Sequence, residues 1–157
     1  MDTVWQELTR GLPDWQHFAQ MAFRLIAAAL AGSIIGIERQ RAGKSAGLRT
    51  HILVALGTCV FILTCAAYGM SSDSLSRVIQ GIATGIGFIG AGSIIKLNDE
   101  HHIQGLTTAA GIWMTAAIGV TVGLGMLGLA LMTAVLTVIV LVVLRRFEPK
   151  SNIDQTP

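Results

Sequence analysis

The polar residues that could do chemistry stand at two levels of an otherwise apolar chain. Glu38 and Arg39 close the first long apolar run, Arg49, Thr50 and His51 open the second, and Thr107 and Thr108 open a later one. The last two groups fall where helices begin. Unpaired backbone N–H groups and the helix dipole favour an anion there. One reading of this level is an anion site. The other is capping and ion pairing that merely closes the end of a bundle. Arg24 lies inside the first run, where a charge is expensive unless it reaches the interface or finds a partner. Arg77, Gln80 and Thr84 fall at i, i+3 and i+7, on one helical face. These groups and Arg24 are expected to face one another inside the bundle. The alternative is that Arg24 simply reaches the outer interface.

Other chemistries are poorly served. Ser33 and Ser93 have no histidine at matching depth, so a nucleophile with its base is not legible. The runs hold no interior carboxylate: Asp73 falls outside and Glu38 at the inner boundary. A Mg²⁺ path calls for several oxygen ligands, some of them anionic. The embedded ionisable groups are arginines, which repel cations. That disfavours a cation channel within one subunit, though a path along subunit boundaries stays open. Asp99-Glu100-His101-His102 sits in a polar loop with no fixed ligand geometry, and Cys59 and Cys65 do not fall at metal-ligand spacing. No metal or cofactor is therefore assigned. Gly85-Ile86-Gly87-Phe88-Ile89-Gly90 spells G-x-G-x-x-G, but a dinucleotide site needs a preceding strand, a following helix and an acidic residue further on, and here the motif lies within a membrane span.

These residues need long apolar elements to position them. Of 157 residues, 52% are hydrophobic and 13% charged, with mean hydropathy +0.64, which places the chain in a bilayer rather than in water. The net charge of +2 is too small and scattered for a nucleic-acid partner. The pattern predicts an all-α membrane protein with five transmembrane helices, at about 17–37, 50–70, 77–96, 106–122 and 126–144. Residues 1–16 read as an interfacial segment, with Trp5, Leu8, Leu12 and Trp15 at helical spacing; 17–146 form the membrane domain and 147–157 a short tail. Arg39, Arg41, Lys44, Arg49, Lys96, Arg145, Arg146 and Lys150 then share one side, so the N-terminus is expected outside and the C-terminus in the cytoplasm.

The third run carries Gly81, Gly85, Gly87, Gly90 and Gly92. In lipid, small residues let helix backbones approach closely. This run is expected to be the central helix, with neighbours packed into its glycine face. Gly32 with Gly36, Gly81 with Gly85, and Gly119 with Gly123 are G-x-x-x-G pairs, which also suit a homo-oligomer. Ala31-Gly32-Ser33-Ile34-Ile35 recurs as Ala91-Gly92-Ser93-Ile94-Ile95, and Gly47-Leu48-Arg49-Thr50 as Gly105-Leu106-Thr107-Thr108. The first two helices and the next two thus read as a parallel repeat, with the fifth left over.

Four motifs in order carry a resemblance: G-I-E-R at Gly36 to Arg39, G-L-R-T-H at Gly47 to His51, G-I-G-F-I-G-A-G at Gly85 to Gly92, and G-L-T-T-A-A-G-I-W at Gly105 to Trp113. Over about Phe23 to Arg146 the chain resembles the MgtC/SapB family. The resemblance implies a multi-span protein of the bacterial inner membrane, linked to growth at low magnesium and, in pathogens, to survival in phagocytes. It implies a non-enzymatic role, with regulation of another membrane complex such as the proton-translocating ATP synthase. The alternative is a transporter or channel for Mg²⁺ or another small ion. Longer members add a soluble C-terminal domain, which this sequence is expected to lack. The members best known from virulence tend to have Asn where this chain has Thr107.

Overall fold

The computed structural model describes residues 3–4, 14–96 and 103–147. The interfacial segment at Trp5, Leu8 and Leu12, the Asp99–His102 loop and the tail lie outside the described residues. The elements are α1 (Trp15–Arg41), α2 (Leu48–Ala67), α3 (Ser72–Gly92), β1 (Ile95–Lys96), β2 (Ile103–Gln104), α4 (Leu106–Gly123) and α5 (Leu127–Val143). A 3₁₀ turn follows at Leu144–Phe147.

Each helix starts and stops for a local reason. Asp14 caps α1, accepting from the His17 backbone N–H at 2.8 Å and lying 2.9 Å from its Nδ1. Those donors hold the Asp14 carboxyl below its usual range. Arg39 and Arg41 in the last turn of α1 complement the dipole, and Gly43, at φ +67°, turns the chain back. Ser71 caps α3, accepting from the Ser74 N–H at 3.3 Å. Gly105, at φ +97°, precedes α4; a Cβ there would stand 2.1 Å from the Ser93 carbonyl oxygen.

The third expected span is displaced: its helix begins and ends earlier than the sequence suggests. Helix α3 ends at Gly92, and Ile95–Lys96 instead pairs antiparallel with Ile103–Gln104, in a register of Ile95 with Gln104 and Lys96 with Ile103. Among the described residues three helices, α1, α2 and α4, are long and apolar enough to cross a membrane, and α5, with 17 residues, is an apolar but shorter fourth. Helix α3 is 21 residues long, but Ser72, Asp73, Ser74, Ser76 and Arg77 crowd its first turns and it falls short in hydropathy.

The centre of the bundle is α4, which touches the other four helices given above; α3 packs on α4 and α2 from outside. This corrects the expectation that α3 is central. Helix α4 has no charge from Leu106 to Gly123 and presents Gly111, Gly119 and Gly123 to α2, so it can be surrounded. Along their shared seam Gly111 lies by His51, Gly119 by Ala55 and Gly123 by Ile62, so α2 and α4 run parallel. Helix α1 runs antiparallel to both, with Gly36 against Leu48 and Arg24 near Cys59 and Gly123. One apolar core joins Ala28, Ile35, Ala55, Cys59, Ile118 and Ala134; a smaller one joins Ala46, Ile86, Ile112 and Ala116.

Candidate functional site

The seam of α1, α2 and α4 is set by glycines. A Cβ on Gly32 would stand 2.6 Å from the His51 carbonyl oxygen, and one on Gly36 2.7 Å from Leu48 Cα. A Cβ on Gly119 would stand 2.4 Å from the Ala55 carbonyl oxygen and 2.0 Å from Thr58 Oγ1. No other residue permits backbones this close.

His51 is enclosed within this seam, at 0% exposure. Its Nδ1 lies 2.7 Å from Thr115 Oγ1, and that hydroxyl donates to the Gly111 carbonyl at 2.8 Å. Thr115 has one proton, so its oxygen accepts from the imidazole, which places a proton on Nδ1. The other nitrogen, Nε2, has no hydrogen-bond partner among the described residues. Gly111 leaves room for the ring, since a Cβ there would lie 3.6 Å from His51 Cε1. The His51–Thr115 link was not read from the sequence. The available signal was a histidine in an apolar run, which needs a polar partner on another helix.

One turn beyond Gly36, on the same face of α1, Arg39 is buried to 2% exposure and its Nε donates to the Glu38 carboxylate. Thr108 is buried, Thr50 half-buried, and Arg49 and Thr107 are exposed. The structure thus joins Glu38 to Arg39 and buries Thr108, while Arg49 and Thr107 stay at the surface. The N-caps of α2 and α4, Gly47 and Gly105, provide no side chain for the first-turn N–H groups.

Arg24 works at the opposite end. Its Nη1 donates to the Gly123 carbonyl at 2.9 Å, capping the C-terminus of α4, where the dipole favours a cation. Gly125 accommodates the guanidinium, since a Cβ there would be 2.7 Å from Nη2. The expected cluster with Arg77, Gln80 and Thr84 does not form. Those three are exposed on α3, and Thr84 Oγ1 donates to the Gln80 carbonyl of its own helix. Arg24 reaches a free helix end on α4 before it could reach α3. Arg24→Ala is expected to lower stability by about 1.5–3 kcal/mol, the range for a charge-assisted bond left unmade. Thermal unfolding in detergent, followed with a thiol dye on the buried Cys59 and Cys65, measures it.

The α3 glycines also depart from the expected role. A Cβ on Gly81, Gly85, Gly87 or Gly92 meets nothing within 4 Å, and only Gly90 rests on a neighbour, Ala109, at 3.6 Å. The close packing belongs to the glycines of α1 and α4. Between α2 and α3 a groove of about 730 Å³ stays open, lined by apolar side chains with Gly57, Gly81 and Gly85. Among the described residues, no three His, Cys, Asp or Glu side chains come together to hold a metal.

The MgtC family model matches residues 25–150. Protein SrpB of Synechococcus elongatus is 42% identical over 146 residues, covering 86% of this chain and 79% of its own. The Escherichia coli K12 protein named "Putative magnesium transporter YhiD" is 47% identical over 131 residues, 78% of this chain and 60% of its own. Protein MgtC of Salmonella typhimurium LT2 is 43% identical over 133 residues, 85% of this chain and 55% of its own. The chain thus spans little more than half the length of the two enterobacterial relatives. No solved structure matches.

Proposed function

This chain belongs to the MgtC family, a non-enzymatic family of multi-pass inner-membrane proteins, and from that premise we propose that it is a membrane regulator connected to magnesium limitation. It crosses the membrane five times, with its N-terminus outside and its C-terminus cytoplasmic. Its first four helices form a parallel repeat, it works as a homo-oligomer, and it acts on another membrane complex such as the proton-translocating ATP synthase. The repeat reading draws support from α2 and α4, which run parallel and each follow a glycine N-cap, Gly47 and Gly105.

One observation carries the regulatory reading: the charges embedded in the bundle are already answered within it. Arg39 is held by Glu38 and Arg24 by the α4 carbonyl end. Neither offers the anionic oxygens a dehydrating Mg²⁺ would need. The functional patch is Glu38, Arg39, Arg49, Thr50, Thr107 and Thr108 at the cytoplasmic boundary, with Arg24 stabilising the far end. The second reading, ion transport, is favoured by the name of the E. coli relative.

Reconstitution separates the two. Proteoliposomes loaded with a Mg²⁺-sensitive dye are expected to show no saturable flux. ATP-driven proton pumping by inner-membrane vesicles is expected to fall when the chain is present. Saturable Mg²⁺ flux abolished by Glu38→Ala would establish transport instead. Reporters fused at Lys44 and Asp99 are expected on the same, cytoplasmic side, and opposite sides would end the five-span topology.

A further inference from the structure

Helix α3 turns a continuous face away from the bundle. Asp73, Arg77, Gly81, Thr84 and Phe88 follow one another at i+3 and i+4, and all are exposed. Phe88 is 84% exposed, the most of any large apolar side chain described. Gln80 flanks this face on one side; Gly85 and the groove of about 730 Å³ flank it on the other.

Acyl chains make a poor cover for such a face. Gln80 presents an amide, and hydrocarbon satisfies neither its donors nor its acceptor. Among the described residues the ion pairs are His17 with Asp14 and Arg39 with Glu38, so Asp73 and Arg77 make none there. A bare glycine wall in lipid gains only when another backbone approaches it.

We propose that the cover is the α3 helix of a second copy of this chain, the two running side by side about a two-fold axis along the membrane normal. Copies inserted in the same orientation present α3 in the same direction, and a two-fold contact must be self-complementary. This face is. Asp73 and Arg77 lie one turn apart, so Asp73 of one copy meets the partner's Arg77 and the reverse. Thr84 lies near the axis with Gly81 beside it, allowing close approach. The proposal rests on the homo-oligomer reading above and names its interface.

The test starts from a Cys59→Ala/Cys65→Ala background, oxidised in native membranes with copper phenanthroline. Thr84→Cys is expected to give a covalent dimer; Val135→Cys, exposed on α5, is expected to give none. Gly81→Leu is expected to cut the dimer fraction in nanodisc mass spectrometry at least ~10-fold. Its melting temperature as a monomer should hold, because a Cβ at Gly81 meets nothing within 4 Å in the single chain and the position borders the open groove. Undiminished dimer in Gly81→Leu, or adducts of Thr84→Cys with a different membrane protein, overturns the proposal. If Thr84→Cys stays silent while oligomers persist, this interface fails and the oligomer reading survives. If only monomers are found, both fail.

Discussion

Gly119→Ala is expected to destabilise the bundle by about 3 kcal/mol, the upper part of the range for forcing a methyl into a filled core. The added carbon would stand 2.0 Å from Thr58 Oγ1, 2.4 Å from the Ala55 carbonyl oxygen and 3.0 Å from Ala55 Cα. Turning Thr58 away removes only the first clash, and it breaks the hydroxyl's bonds to the Val54 and Ala55 carbonyls. The backbones of α2 and α4 must therefore separate along the central seam. Gly57→Ala and Gly128→Ala serve as controls, since a Cβ at either meets nothing within 4 Å. There the better helix propensity of alanine acts alone, and the change is neutral or stabilising by up to about 1 kcal/mol. With Cys59 and Cys65 both buried, thiol-dye melting reads all three variants. Gly119→Ala should fall by roughly 5–10 °C and the controls should hold. A Gly119→Ala variant melting with the controls would mean that α2 and α4 do not meet as described.

Arg39→Met is expected to cost about 3–5 kcal/mol, the loss typical when one member of a buried pair is removed. Arg39 is 2% exposed and Glu38 side-chain exposure is 13%, so the carboxylate left behind has little water to solvate it. The double change Glu38→Gln/Arg39→Met is expected to recover most of that loss, because no buried charge remains. The double-mutant cycle should therefore give a coupling of about 2 kcal/mol or more. Additive losses would show that the two side chains act independently. The recovered double variant also separates folding from function. If Glu38 and Arg39 belong to a functional patch, it should be stable yet fail to support growth in low magnesium.

Much of the plan was legible in one dimension. Apolar runs marked α1, α2, α4 and α5, because helices in lipid must satisfy their own backbone and so need long stretches without charge. The G-x-x-x-G pairs at Gly32/Gly36 and Gly119/Gly123 do fall on close contacts with α2. The adjacency of Glu38 and Arg39 was visible; the burial of Arg39, one turn past Gly36, was decided by packing.

What the order of residues could not say is which glycine surface finds a neighbour in the same chain. Gly81 and Gly85 look no different in sequence from Gly119 and Gly123, yet one pair faces open space and the other touches backbone. That choice depends on how five rods share a centre. The place went to α4, uncharged along its length, and not to α3, whose Asp73, Arg77 and Gln80 would have been buried there without partners. The same geometry gave Arg24 a carbonyl on α4 and His51 a hydroxyl on Thr115, partners 99 and 64 residues away. Residue types and spacing set which helices form and which groups need partners; only packing in three dimensions assigned the partners, because a helix repeats its own faces and carries no record of which neighbour they will meet.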